Sequence, residues 1–98
     1  MKKRYSVLWT DHALSELSET VSYLRENFSA KEIHRLGKNI ETILSFVSLH
    51  PRAFPASEQQ PSVRRAVVAR FNTLYYRIDE DKKQIEILSF FPNRKEPK

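Results

Sequence analysis

Four side chains in the second half of the sequence are of types that could act on a phosphodiester: Arg64, Tyr75, Arg77 and Arg94. Guanidinium groups grip a scissile phosphate with paired hydrogen bonds and stabilise the charge that builds up as it is cleaved. Cleavage by a ribose 2′-hydroxyl also needs a base and an acid. Tyr75 is the available hydroxyl, and Arg94 could stabilise or donate. Each residue also has a plainer role: Arg77 is spaced to pair with Glu86 across two strands, and Tyr75 to shield a sheet. For any one of the four taken singly, the plainer role is the expectation.

Other chemistries are dismissed faster. The chain has no cysteine, which removes disulfides, thiolate metal sites and a cysteine nucleophile together. His12, His34 and His50 are far apart, and none stands at metal-ligand spacing from another. A single glycine forbids a glycine-rich phosphate loop, and nothing marks a nucleophile elbow. Asp11 reads as a helix-start residue, and Asp79, Glu80 and Asp81 as turn residues, rather than a carboxylate pair. No metal and no cofactor is expected.

The elements that must position these side chains follow from periodicity. Val63–Ala69, Phe71–Ile78 and Gln84–Phe90 are rich in Val, Ile, Tyr and Phe and read as three consecutive strands, with a turn at Asp79–Lys83. In the middle strand Leu74, Tyr76 and Ile78 share one face, and Thr73, Tyr75 and Arg77 the other. The first face suits a core; the second is the expected working surface. Upstream, Arg4–Trp9 reads as a strand. Thr10 then caps a helix over Asp11–Asn27, whose stripe is Leu14, Leu17, Val21, Leu24 and Phe28. Ser29 and Glu32 form a capping-box pattern that starts a second helix, which ends near Leu49 because Pro51 restricts His50. Gly37 lies inside that helix, and close helix contact is its expected reason. His50–Ser62 is a proline-containing loop. The order βααβββ predicts a single α+β domain over residues 1–98, with a helical hairpin packed on one face of a mainly antiparallel sheet.

The formal charge of +5 points weakly to an acidic or polyanionic partner. Its distribution says more. Arg64, Arg65, Arg70, Arg77, Arg94 and Lys95 lie on or beside the three strands, interleaved with Tyr75, Phe90 and Phe91. Cations among aromatic rings suit phosphate contact with base stacking, and equally a surface covered by an acidic partner peptide. Both remain open at this level. No segment approaches the ~20 apolar residues of a membrane span, and a cytoplasmic protein without membrane partners is expected.

These residues together carry a family resemblance. An opening strand, a helical hairpin and a proline-containing loop lead to Val63-Arg64-Arg65-x-Val67-Val68 and Leu74-Tyr75-Tyr76-Arg77-Ile78. Ile85-x-Ile87-Leu88 then runs into Phe91-Pro92-Asn93-Arg94-Lys95-x-Pro97. In this order the chain resembles the RelE/ParE superfamily, the toxins of type II (plasmid stabilisation-like) toxin–antitoxin modules. The resemblance implies a cognate antitoxin, whose partly disordered and often acidic segment would fold over the basic sheet face and the hairpin groove.

On target the resemblance divides. RelE-like members are ribosome-dependent endoribonucleases that cut mRNA with Lys and Arg residues on the sheet face and often a C-terminal Tyr or His. Their first basic position falls on Arg64, the next on Ala66, the third-strand arginine on Thr73 and the last arginine roughly on Arg94; no terminal Tyr or His follows. ParE-like members poison DNA gyrase, which requires a binding surface rather than a nucleophile, and the short tail resembles theirs more closely. The resemblance therefore implies a ParE-like gyrase poison. The alternatives are a nuclease using Arg64, Tyr75, Arg77 and Arg94, and an antitoxin-binding member without toxicity.

Overall fold

Thr10 is the joint between the two layers of the molecule. Its hydroxyl accepts a hydrogen bond from the Ala13 N–H (3.2 Å), capping the first helix, and donates one to the Ile87 carbonyl (2.7 Å) in the sheet. One side chain thus ends a strand, starts a helix and fixes the angle between them. The computed structural model describes residues 4–68 and 72–92. Its elements are β1 (Ser6–Trp9), α1 (Asp11–Asn27), α2 (Ala30–Leu49), β2 (Val63–Val68), β3 (Asn72–Asp79) and β4 (Gln84–Pro92). Ala69, Arg70, Phe71, Arg94 and Lys95 lie outside the described residues, and so does the expected role of the last arginine.

The sheet order is β1-β4-β3-β2, with β1 parallel to β4 and the other pairs antiparallel. The helical hairpin covers one face, as the α+β pattern predicts. Ala13 of α1 and Leu36 and Val47 of α2 meet Val68, Leu74, Tyr76, Ile85, Ile87 and Phe90 in one buried cluster. Leu74 and Tyr76 share the core face as alternation requires.

Three expectations are corrected. Ser29 makes no side-chain cap hydrogen bond; Glu32 turns forward to Arg35 (3.5 Å), so the capping box does not close. Gly37 is exposed, and a Cβ placed on it would meet no atom within 4 Å, so close helix contact is not its reason. Phe90, expected on the open aromatic face, is fully buried and packs against Trp9 with ring centroids 6.3 Å apart. The cause is a β-bulge. Tyr75 faces Ser89 while Tyr76 faces Ile87, which leaves Leu88 as the extra residue. The inserted residue shifts the alternation, so Phe90 falls opposite Leu74 and points inward.

The bulge also lies where β4 loses its neighbour. Pairing with β1 stops at Trp9–Ile87. Beyond it the Glu16 carboxylate of α1 accepts the Phe90 N–H (2.8 Å) and the Ser89 hydroxyl (2.7 Å). A helix side chain thus satisfies a backbone donor that the short edge strand leaves open.

Candidate functional site

The register decides which candidate residues meet. Directly opposed residues of neighbouring strands point to the same face. On the face away from the helices, one rung is Val67, Thr73 and Phe91; the next contains Arg65 and Tyr75; the third is Val63, Arg77, Glu86 and Leu8. Val67 and Phe91 are each 52% exposed, with a nearly covered Thr73 between them. The structure therefore brings Tyr75 and Arg77 onto one face, with Arg65 beside Tyr75.

Arg64 is not part of that face. It stands opposite Tyr76, on the side covered by the helices. Its Nη1 donates to the carbonyl of Phe54 (2.6 Å) and, at longer range, to that of Arg52 (3.4 Å). The buried Tyr76 hydroxyl donates to the Pro51 carbonyl (2.7 Å). Together they fix the start of the long loop by its own backbone. Burial pushes the Tyr76 hydroxyl up to about 12, with the Arg64 charge pulling weakly the other way. The alternation of Ala66 and Val68 with Arg65 and Val67 is the sequence signal for this split: two core positions in β2 place Arg64 inward and Arg65 outward.

Arg77 is occupied as well. Its Nε (3.1 Å) and Nη2 (2.6 Å) both donate to Glu86 Oε1. The pairing fits the cross-strand spacing. Arg77 and Glu86 line a hollow of about 430 Å³ together with Ile78, Asp79, Glu80 and Asp81. Arg77 is thus already matched by Glu86, and the flanking Asp79 and Asp81 do not favour a phosphate there.

The neighbouring turn is held by a cluster that periodicity does not signal. The Glu80 carboxylate accepts from the Tyr5 hydroxyl (2.9 Å), pairs with the Arg52 guanidinium and lies 3.3 Å from Lys83 Nζ. Hydrogen bonds from Arg52, then Tyr5, hold the Glu80 carboxyl well below its usual range, at about 2. The same contact with Glu80 raises Arg52 and Lys83. Lys83 reaches this position with a positive φ of 51° that closes the turn, and its ammonium lies over the Tyr5 ring, 5.5 Å from the centroid. Among the described residues no group of three or more His, Asp or Glu side chains could hold a metal ion. No helix among them is long and apolar enough to cross a membrane.

The sequence of this two-helix, four-strand domain matches the family model of the ParE toxin of the type II toxin–antitoxin system, parDE, over residues 7–97. The chain belongs to the ParE toxin family. It is thus a type II toxin of the ParE/RelE superfamily. Solved structures agree in fold. The chromosomal ParDE toxin–antitoxin system from P. aeruginosa superposes with a TM-score of 0.74 at 16% identity, covering 93% of this chain and 98% of that one. The toxin–antitoxin complex RelBE2 from Mycobacterium tuberculosis gives 0.67 at 18% identity, covering 93% and 100%. No curated protein sequence matches the chain. In this ParE-family chain the candidate face is the outer sheet surface carrying Arg65, Val67, Tyr75 and Phe91, with the paired Arg77 at its margin.

Proposed function

We propose that this ParE-family toxin acts in the cytoplasm by binding DNA gyrase and stopping its supercoiling, and that a cognate antitoxin keeps it silent. The observation that carries the reading is the division of the arginines. Cleavage by guanidinium groups, the chemistry these residue types could offer, depends on donors that converge on the scissile phosphate. Among the described residues Arg64 faces the helices and serves the loop, while Arg77 is already paired with Glu86. What the outer face offers instead is exposed apolar and aromatic surface with Arg65, which suits a protein partner. The match to the ParE family model supports the same direction. An antitoxin partner is supported by the fold likeness to chains solved within toxin–antitoxin systems.

Arg65 beside Tyr75 favours a second reading, ribosome-dependent mRNA cleavage. The two separate in one experiment. The chain is induced alone, and mRNA 5′ ends and plasmid topology are followed for the first minutes. Loss of negative supercoiling with intact mRNA supports gyrase. New 5′ ends in codon phase within translated regions overturn it in favour of the nuclease. Neither effect, with growth unaffected, would leave an antitoxin-binding protein without toxicity.

A further inference from the structure

We infer that the free edge of β1 is where a second copy of this chain joins, by antiparallel pairing of β1 with itself. β1 is a terminal strand, and its backbone groups alternate between two sides. The Ser6 N–H donates to the Lys83 carbonyl (3.0 Å) and the Thr10 N–H to the Ile87 carbonyl (3.1 Å), which directs Ser6, Leu8 and Thr10 toward β4. The N–H and C=O groups of Val7 and Trp9 therefore point away from the sheet. Among the described residues nothing takes them up. Where β4 runs past β1, Glu16 closes the open Phe90 N–H (2.8 Å), and no described side chain does the same for β1. Nor does the strand, Ser-Val-Leu-Trp, carry the lysine or proline with which edge strands discourage pairing.

This edge is complementary to itself. A two-fold axis through Leu8 sets Val7 opposite Trp9 of the second copy, and Trp9 opposite its Val7. Each of these pairs exchanges two hydrogen bonds, so every free group of the two edges finds a partner. Leu8, 46% exposed on the outer face, then lies directly against Leu8 of the second copy, in the closer kind of cross-strand pair. The charges agree. Arg4 precedes the strand and bonds the neutral Ser48 hydroxyl (3.2 Å), Asp11 follows it, and neither belongs to a salt bridge among the described residues. Antiparallel pairing brings Arg4 of each copy toward Asp11 of the other. The opposite edge suits a second copy poorly, because self-pairing of β2 sets Arg64 and Arg65 near their own counterparts. Pairing through β1 merges two sheets into one and puts both outer faces, with Arg65 and Tyr75, on the same side. A four-residue edge is a small interface, so the association is weak and concentration-dependent.

The test uses the whole chain, purified alone and followed by sedimentation equilibrium from about 1 μM to about 1 mM, the range in which so small an interface assembles. A dimer should form as the concentration rises. Exchange of the Val7 and Trp9 amides should slow about tenfold or more with it, while the Leu8 amide, directed into the sheet, changes little. In a mixture of ¹³C-labelled and unlabelled chains, isotope-filtered nuclear Overhauser spectra should join the Leu8 Hα of one copy to that of the other. Leu8→Lys sets like charges directly opposite and should weaken the dimer about tenfold or more, at unchanged circular dichroism. Val67→Lys, at the far edge, should leave the dimer intact. A chain that stays monomeric throughout the series overturns the proposal. So does a dimer whose Val7 and Trp9 amides exchange at their monomer rates, which would put the joint elsewhere. Should Leu8→Lys not fold, the exchange and Overhauser measurements on the unaltered chain decide. None of these readouts depends on the toxin's target, so this proposal and the gyrase reading fail separately.

Discussion

Gly37 illustrates what one residue can and cannot disclose. Its helix-interior position is legible in the sequence, but the reason expected for it, close helix packing, is absent, because the space around it is open. Gly37→Ala is therefore expected to stabilise the free chain by about 1 kcal/mol through helix propensity, measured as a higher urea midpoint at unchanged slope. Tyr76 behaves in the opposite way. Its place on the core face is plain from alternation, yet its hydroxyl, buried with a single acceptor on the loop, is not. Tyr76→Phe leaves the Pro51 carbonyl unpaired and should cost about 1–3 kcal/mol, with faster amide exchange confined to the loop after α2. Ser29 shows the limit of motif reading: the Ser-x-x-Glu pattern is present, but Glu32 finds Arg35 instead.

At the scale of elements, two contacts between segments distant in sequence hold the sheet in place, and neither has a periodic signature. Glu80, in the β3–β4 turn, ties Tyr5 before β1 and Arg52 after α2 to that hairpin. Its folded pKa, about 2, lies below the ordinary value of 4.5. The cluster therefore contributes stability above pH 4.5, and the contribution is lost as pH falls toward 2. Urea melts of the chain and of Glu80→Gln should differ at neutral pH and converge by about pH 2. A constant difference across that range would show that the carboxylate charge is not what matters. Glu16 plays the corresponding part at the other end of β4. Glu16→Ala strands the Phe90 N–H and should raise the exchange rate of that amide, at a cost of about 1–3 kcal/mol. The bulge at Leu88 belongs to the same scale: Phe90, expected among the aromatics of the basic surface, is put in the core by one inserted residue.

For the whole molecule, the faces of the sheet decide which substitutions silence the toxin. Arg65→Glu with Tyr75→Ala alters the outer face alone, and it should abolish growth arrest on induction while far-UV circular dichroism and melting temperature stay close to those of the parent. Arg64→Ala should instead loosen the loop and lower the melting temperature, with arrest retained wherever the chain remains folded; the reverse ranking would put Arg64 at the working surface. The sequence by itself determined the element order, both helix spans to within a residue, the core face of β3 and the Arg77–Glu86 spacing, because periodicity and cross-strand spacing are local properties of the chain; the family came from the resemblance of its motifs to known members. Only the tertiary structure decided that Arg64 binds the carbonyls of the loop after α2, that Phe90 is core, that Gly37 packs against nothing, and that Glu16 and Glu80 join remote segments. Those outcomes depend on register, on one bulge and on which distant groups happen to be neighbours, and no local pattern encodes them.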